Sequence, residues 1–277
     1  MDIIQVLQSV ILGIVEGITE WLPISSKAMM SVVMISFFNT NVDLSEAVYY
    51  AIWLHIGSLL AVILFYRYEV AKIVQNLPNY VRNVRNPKAK GYNKLTTFLI
   101  VTTFFTALVG APLMLFGLTK LQFTGSYATA FIGALLIVTG LLQLYARQRA
   151  SRRNTSLSFT DATIVGLLQG LATLPGFSRS GFTISGLLLR RYAGKDALNL
   201  SFLMYIPAVL GAEIGLSLIK HGAYFNYYSL IAIAFAFIFS LLTISTLLKV
   251  AERINSGYFC IFIGCLLLVP LLITLAV

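Results

Sequence analysis

Residues 16–30, EGITEWLPISSKAMM, decide how the whole chain is interpreted. They lie in a long apolar run, yet they include Glu16 and Glu20, then Pro23 and a pair of serines. On a helix, residues four apart share a face, so the two carboxylates would repel each other in a low-dielectric environment. A membrane protein tolerates such a pair when a cation, a proton or water compensates. The stretch is therefore a candidate functional site.

The composition is that of a polytopic membrane protein, since 58% of the 277 residues are hydrophobic and 11% are charged. A spanning helix needs about 20 mostly apolar residues. Six full transmembrane helices are predicted at 46–66, 95–116, 126–146, 197–219, 227–249 and 257–276. Shorter apolar stretches occur at 3–15, 28–38, 162–174 and 182–189. The first lacks a basic segment and a cleavage site, so we expect it to be retained. The expected fold is all-α, one integral membrane domain over residues 1–277.

Basic residues give the predicted orientation. The net charge is +10, but sixteen of the 20 Lys and Arg cluster at segment ends that could share one side of the membrane: 67–94, 147–153, 190–195 and 249–253. This is the positive-inside pattern, so these loops are predicted to be cytoplasmic and to face anionic lipid rather than nucleic acid. Following the spans from there places the N-terminus and the C-terminus outside.

A second polar stretch, QGLATLPGFSRSG at 169–181, resembles the first. The segment 161–189 has to enter and leave on the same face, because basic clusters flank it on both sides. Matched positions are Gly13 with Gly166, Glu16 with Gln169, Gly17 with Gly170, and Pro23 with Pro175. With three spans between them, the stretches are predicted to be two re-entrant helical hairpins of an inverted-topology repeat. Repeat one covers about 1–66 and repeat two about 160–219, with helices over 95–146 between them and 227–276 after.

Several candidate residues keep more than one interpretation. The glutamates could bind a divalent metal, act as a base, face water at the mouth of a funnel, or pair with Lys27. Ser25 and Ser26 follow a helix-breaking proline, where they could cap a helix or point into a cavity. Arg179, an arginine at a Pro-Gly break, indicates an anion such as phosphate, or else a salt bridge to a glutamate. His55 could pack or line the cavity.

These residues resemble a known family. EGITEWLPISS (16–26) and LPGFSRSG (174–181), with SEAVYYAIWLHIGSLLAVI (45–63) and LNLSFLMYIPAVLGA (198–212), are similar to the undecaprenyl-diphosphate phosphatases, the bacitracin-resistance proteins. The resemblance implies removal of the terminal phosphate from a polyprenyl diphosphate, which yields the monophosphate carrier lipid of cell-wall or glycan assembly. It also implies a plasma-membrane protein with a site open to the outer face and a divalent cation, Mg²⁺ or Ca²⁺. Expected partners are this lipid and membrane lipid, and a homodimer is left open.

By position, the resemblance assigns catalysis to Glu16, Glu20, Ser26 and Arg179, with the metal on the glutamate pair. The expected substrate-binding residues are Ser25, Lys27, His55, Gly176, Ser178, Ser180 and Gly181. One departure stands out: the family motif usually continues Ser-Ser-Thr-Gly-His, whereas Lys27, Ala28 and Met29 follow the serines here. Met29 therefore stands where the family has its histidine, and a thioether can neither transfer a proton nor attack phosphorus. Ser26, as nucleophile or as a ligand orienting water, and Glu20, as base, would then carry the chemistry. The rival hypothesis is a flippase that moves a polyprenyl phosphate or related phospholipid without hydrolysis.

Overall fold

The computed structural model describes residues 2–38, 42–83, 85, 93–149, 157–221 and 224–276. Eleven α-helices form within these ranges. They are α1 Ile3–Thr19, α2 Ser26–Val32, α3 Leu44–Phe65, α4 Arg67–Asn83, α5 Lys94–Pro112, α6 Gly125–Arg149, α7 Phe159–Leu171, α8 Arg179–Leu189, α9 Gly194–Lys220, α10 Tyr227–Arg253 and α11 Ser256–Ala276. A π-helical turn, Val33–Phe37, extends α2. Another, Leu113–Gly117, and a short 3-10 turn, Leu118–Lys120, extend α5.

Six of the helices in the described ranges are long and apolar enough to cross a membrane: α3, α5 with its extension, α6, α9, α10 and α11. They coincide with the six predicted spans, so the all-α polytopic membrane fold is confirmed. The main difference is the α5 span, which continues to Lys120 because the π and 3-10 turns carry the chain past Pro112. Proline removes a backbone donor, so the regular α-helical pattern changes there.

The two polar stretches form the turns of two helical hairpins. In hairpin one, α1 and α2 flank the turn at residues 20–25, and in hairpin two, α7 and α8 flank the turn at 172–178. Ser178 caps α8, since its Oγ accepts a hydrogen bond from the Gly181 amide at 3.1 Å. None of the four hairpin helices reaches the length of the six spans, as expected for segments that enter and leave on one face.

Helices of the first half of the chain pack against helices of the second half. Helix α1 packs along α10 and α7 packs along α5, while α6 pairs with α11 and α3 with α9. The glycines matched in the sequence make the first two contacts close. A Cβ on Gly17 would lie 2.8 Å from the Ala236 carbonyl oxygen, and one on Gly170 would lie 2.6 Å from the Val109 Cβ. Such matched packing between the halves is expected of an internal repeat. The boundaries of the two repeats, 1–66 and 160–219, stay a prediction.

The base of hairpin two is tied by polar contacts. Asp161, in the first turn of α7, accepts hydrogen bonds from Arg190 and, at 3.0 Å, from the Tyr192 hydroxyl after α8. Burial and this hydrogen bond raise the pKa of the Tyr192 phenol, so it stays protonated and acts as a donor. The two arms of the hairpin are thereby joined at the end away from its turn.

Polar contacts near the helix ends show that the described basic residues lie at two ends of the bundle. At one end, Arg147 of α6 donates to the Ile254 and Arg253 carbonyls between α10 and α11. At the other, Lys220 contacts Glu46 at the start of α3, and the Leu44 amide donates to Phe123 at 2.9 Å. The amphipathic helix α4 carries further basic residues on an exposed surface. Lys88, Lys90, Arg152 and Arg153 lie outside the described residues.

Candidate active site

The turns of the two hairpins meet inside the bundle. Ser180 Oγ donates to the Leu22 carbonyl at 3.2 Å, and the Gly176 amide donates to Ser25 Oγ at 3.3 Å. Lys27 Nζ donates in the opposite direction, from hairpin one to the Ala172 carbonyl of hairpin two. Polar groups of one hairpin are therefore satisfied by the other, as backbone at membrane depth requires.

Glu20 joins polar groups of both hairpins. One carboxylate oxygen accepts from Arg179 at 2.6 Å, and the other accepts from the Ser26 hydroxyl. Glu20 is 6% exposed, so the Arg179 ion pair is formed away from bulk water. Of the two interpretations of Arg179, the salt bridge is therefore present, and it links the two hairpins.

Glu16 occupies a fully buried position one helical turn before Glu20. Its Oε1 accepts from Ser58 at 2.8 Å, and Ser58 Oγ lies 2.7 Å from the Tyr205 hydroxyl. Its Oε2 has no hydrogen-bond partner among the described residues. An unsatisfied carboxylate oxygen in such a place is expensive, so Glu16 retains capacity for a further ligand.

His55 brings the two carboxylates together from α3. Its Nδ1 donates to the Ala51 carbonyl at 2.6 Å, and its two ring nitrogens lie 3.4 Å from Glu16 and from Glu20. One ligand atom from each of the three residues falls within 4.8 Å of the others. Two carboxylates, one with an unsatisfied oxygen, fit the oxygen-rich set that a divalent cation prefers, with the imidazole as an additional donor.

Arg179 is held over aromatic rings at the cavity. Its guanidinium carbon lies 4.1 Å from the Tyr205 ring centroid and 5.6 Å from that of Phe202. The guanidinium also donates to the Ser201 carbonyl at 3.3 Å, while its Nε has no partner among the described residues. Stacking fixes the plane of the guanidinium and leaves donor capacity for an oxyanion.

Two residues with positive φ shape the hairpin turns. Ser25 has φ 65° and ψ 89°, a left-handed conformation that a serine adopts at some expense in energy. Its side chain makes no capping hydrogen bond to α2, and its hydroxyl accepts from Gly176, whose φ is 100°. Such strain persists where the surroundings determine the conformation, here the contact between the two turns.

A cavity of about 340 Å³ opens next to these residues. Its polar end is lined by Glu20, Ser25, Ser26, Lys27, His55, Ser178, Arg179, Ser180 and Tyr205. From there it continues as an apolar groove between α5 and α9, with small residues on both sides: Ala107, Gly110, Ala111, Ala208, Gly211, Ala212 and Gly215. A polar end that continues into an apolar groove matches the shape and chemistry of a polar headgroup with a hydrocarbon tail.

The structure brings most of the predicted site residues together, with exceptions. Glu16, Gly176 and Gly181 do not line this cavity, and Glu16 is fully buried one helical turn from Glu20. Gly176 forms the turn behind it, and Gly181 lines a second cavity on the opposite side of the hairpin turns. Met29 does not line the cavity either. The Lys27 ammonium makes none of the ion pairs found among the described residues, so the pairing of Lys27 with a glutamate is not observed.

Ser58 and Tyr205 were missed by the sequence interpretation. Ser58 follows His55 by three residues, so the helical spacing could have placed it on the same face of α3. Tyr205 lies in the stretch LNLSFLMYIPAVLGA, where a tyrosine in an apolar span is a weak signal. Its role follows only from the pairing of α3 with α9.

The fold and the site define a class: a polytopic helical membrane protein whose two buried hairpins build one polar cavity for an amphipathic ligand. The chain belongs to the family of the bacitracin resistance protein BacA, whose model matches residues 9–269. It is 43% identical over 263 residues to an undecaprenyl-diphosphatase of Methanococcoides burtonii, covering 94% of this chain and 96% of that protein. It is 38% identical over 275 residues to an undecaprenyl-diphosphatase of Methanopyrus kandleri, covering 97% of each. A third, from Thermosipho melanesiensis, is 35% identical and covers 92% and 95%.

Proposed function

We propose that this chain is a membrane phosphatase that hydrolyses a polyprenyl diphosphate of the undecaprenyl type to the monophosphate and inorganic phosphate. The product would be the lipid carrier returned to cell-wall or glycan synthesis. The observation that carries the proposal is the Ser26–Glu20–Arg179 contact at the end of an apolar groove. The relatives named undecaprenyl-diphosphatase support the same activity, because they match this chain over nearly its whole length.

The contacts assign a role to each polar residue. A hydroxyl donating to a carboxylate is the arrangement of a nucleophile with its general base. Ser26 Oγ attacks the terminal phosphorus while its proton passes to Glu20. The bond to the bridging oxygen breaks, and polyprenyl monophosphate leaves with the electron pair. Once Glu20 has lost this proton to solvent, it accepts a proton from a water molecule that attacks the phosphoserine. The bond between Ser26 Oγ and phosphorus breaks, Ser26 regains a proton, and inorganic phosphate leaves. In the alternative path, Ser26 orients a water molecule that attacks directly.

Arg179 changes partner in this scheme. In the structure it is paired with Glu20, and an incoming phosphate offers more acceptor oxygens for the same guanidinium. Transfer of Arg179 to the phosphate frees a carboxylate oxygen of Glu20 and makes Glu20 a better base. Ser25, Ser178, Ser180 and His55, which line the same end of the cavity, complete the binding of the phosphate oxygens.

Glu16 and Glu20 are proposed to hold a divalent cation, Mg²⁺ or Ca²⁺. Bound there, such an ion would supply positive charge that offsets the charge developing on phosphate oxygens. The support is the unpartnered oxygen of Glu16 and the closeness of Glu16, Glu20 and His55. Among the described residues, Arg179 is the Lys or Arg that pairs with one of these carboxylates, and the substrate adds further negative charge to the site.

The proposed location is the plasma membrane, with both termini outside, the basic loops in the cytoplasm and the cavity open to the outer face. The groove runs toward the ends of the α5 and α9 spans that carry Lys120 and Lys220, away from most of the basic residues. That distribution favours an outer opening by the positive-inside pattern. A homodimer stays a prediction.

Release of phosphate from a polyprenyl diphosphate by the detergent-purified chain tests the activity. With Mg²⁺ or Ca²⁺ present, the wild-type chain is expected to release phosphate, and Glu20→Ala and Arg179→Ala are expected to lose at least about a hundredfold in rate. Release no faster than in these variants would refute the hydrolase. Movement of polyprenyl monophosphate across vesicles without hydrolysis would then favour the flippase.

A further inference from the structure

Lys27 is a cation inside the membrane domain with incomplete pairing. It lies in the first turn of α2, and its ammonium donates to the Ala172 carbonyl at the end of α7. No described carboxylate lies within 4.0 Å of this ammonium. An ammonium has three donors, and one carbonyl neither uses them all nor neutralises the charge. A cation kept at this depth without a close counter-charge indicates an anionic ligand.

The position of Lys27 in the cavity shows which part of such a ligand it would meet. Ser26 and Arg179 lie on the Glu20 side of the polar end. The Lys27 amine donates to the carbonyl of Ala172, which lines the cavity with Gln169, Thr173 and Thr106. This is the side from which the apolar groove along α5 continues. Lys27 therefore stands between the predicted nucleophile and the tail groove.

We propose that Lys27 binds the proximal phosphate of the substrate and stabilises it as the leaving group. This role rests on the proposed hydrolysis. With the terminal phosphate at Ser26 and Arg179 and the tail in the groove, the proximal phosphate lies beside the Lys27 amine. When the bond to the bridging oxygen breaks, that oxygen gains the electron pair, and the ammonium lies next to the new charge. No proton needs to be transferred, because a phosphate monoester leaves as an anion near neutral pH.

In this role Lys27 would change its hydrogen-bond partner between the hairpins when the substrate binds. In the structure Lys27 joins α2 to the end of α7 through one hydrogen bond. A phosphate oxygen offers a charged acceptor, which forms a stronger hydrogen bond with an ammonium than a neutral carbonyl does. Lys27 is then a ligand of the substrate, and the Ala172 carbonyl is a secondary acceptor of the same amine.

Kinetics of Lys27→Met and Lys27→Arg test the proposal, with Lys120→Met, at an exposed lysine, as the matched control. Loss of the charge is expected to lower kcat for a polyprenyl diphosphate by about 100- to 1,000-fold, the range for removing one group that stabilises developing charge. Lys27→Arg is expected to retain more activity than Lys27→Met, and Lys120→Met is expected to match the wild type. Thermal melting of each variant reports whether the chain is folded.

A substrate with sulfur in place of the bridging oxygen separates a leaving-group role from a structural one. A thiolate-type leaving group needs less stabilisation, so the defect of Lys27→Met is expected to shrink by about tenfold with this substrate. An equal defect with both substrates, or full activity of Lys27→Met, would overturn the proposal while leaving the hydrolase intact. If the wild-type chain released no phosphate from either substrate, the proposed function would fail, and the Lys27 role with it.

Discussion

At the scale of single residues, the site depends on side chains that each form hydrogen bonds with two other residues. Glu20 accepts from Arg179 and from Ser26, and Ser58 lies between Glu16 and Tyr205. In a low-dielectric environment, a carboxylate with two donors is fixed in position as well as in charge. The geometry of the predicted nucleophile therefore depends on residues of both hairpins and of α3 and α9.

Ser58 gives a prediction at this scale. Its hydroxyl donates to Glu16 at 2.8 Å, so Ser58→Ala removes a donor from the first carboxylate directly. If Glu16 holds a divalent cation, the concentration of Mg²⁺ that gives half-maximal phosphate release is expected to rise about 10- to 100-fold, as when groups supporting a metal ligand are removed. A Mg²⁺ titration measures it, and Ser45→Ala, which removes a hydroxyl bonded to Asp43, is the control. An unchanged Mg²⁺ requirement would count against a cation at Glu16.

At the scale of elements, close helix contacts place the hairpins. A Cβ on Gly17 would lie 2.8 Å from the Ala236 carbonyl oxygen and from the Phe239 Cβ of α10. Gly17→Ala is therefore expected to destabilise the protein by about 1–3 kcal/mol, the usual range for overpacking. Thermal melting in detergent measures the change. Gly194→Ala is the control, because a Cβ there meets nothing within 4 Å, and equal melting of the two variants would contradict the packing argument.

The groove between α5 and α9 gives a second prediction for elements. Gly211 lines it, and a Cβ there meets nothing within 4 Å, so Gly211→Leu adds a side chain without a backbone clash. If the groove holds the hydrocarbon tail, hydrolysis of a long polyprenyl diphosphate is expected to fall about tenfold. A short-chain prenyl diphosphate, which leaves the far part of the groove empty, is expected to be affected less. Comparison of kcat/KM for the two lengths decides it, and equal losses would place the tail elsewhere.

The sequence predicts elements better than it predicts contacts. Hydrophobic run length is a local property, so the six spans and both hairpins followed from it, and the matched glycines indicated close packing. The Arg179–Glu20 pair was one of two alternatives, because 159 residues separate these side chains and only the meeting of the turns decides it. Gly181 was placed at the substrate because its neighbours are there. On a helix, however, adjacent residues point in different directions, so Ser180 faces one cavity and Gly181 the other.

At the scale of the whole molecule, the site exists only where the two halves of the chain meet. The carboxylates and Ser26 come from hairpin one, and Arg179 comes from hairpin two. Each hairpin is held by a helix of the other half, α1 by α10 and α7 by α5. A substitution where α1 packs on α10, or where α7 packs on α5, is therefore expected to alter the distance between Glu20 and Arg179, although it changes neither residue.

The orientation of the molecule gives the last prediction. Lys72 lies on exposed α4 at the basic end, whereas Lys120 ends the α5 span near Leu121, whose carbonyl accepts from Ser45 at the start of α3. With Cys260 and Cys265 replaced by alanine, Lys120→Cys is expected to react with a membrane-impermeant maleimide from outside. Lys72→Cys is expected to react only in inverted vesicles. Because the groove runs toward the Lys120 end, right-side-out vesicles should also release phosphate from substrate added outside. Labelling of Lys72→Cys from outside would show that the chain has the opposite orientation, with the cavity opening on the cytoplasmic face.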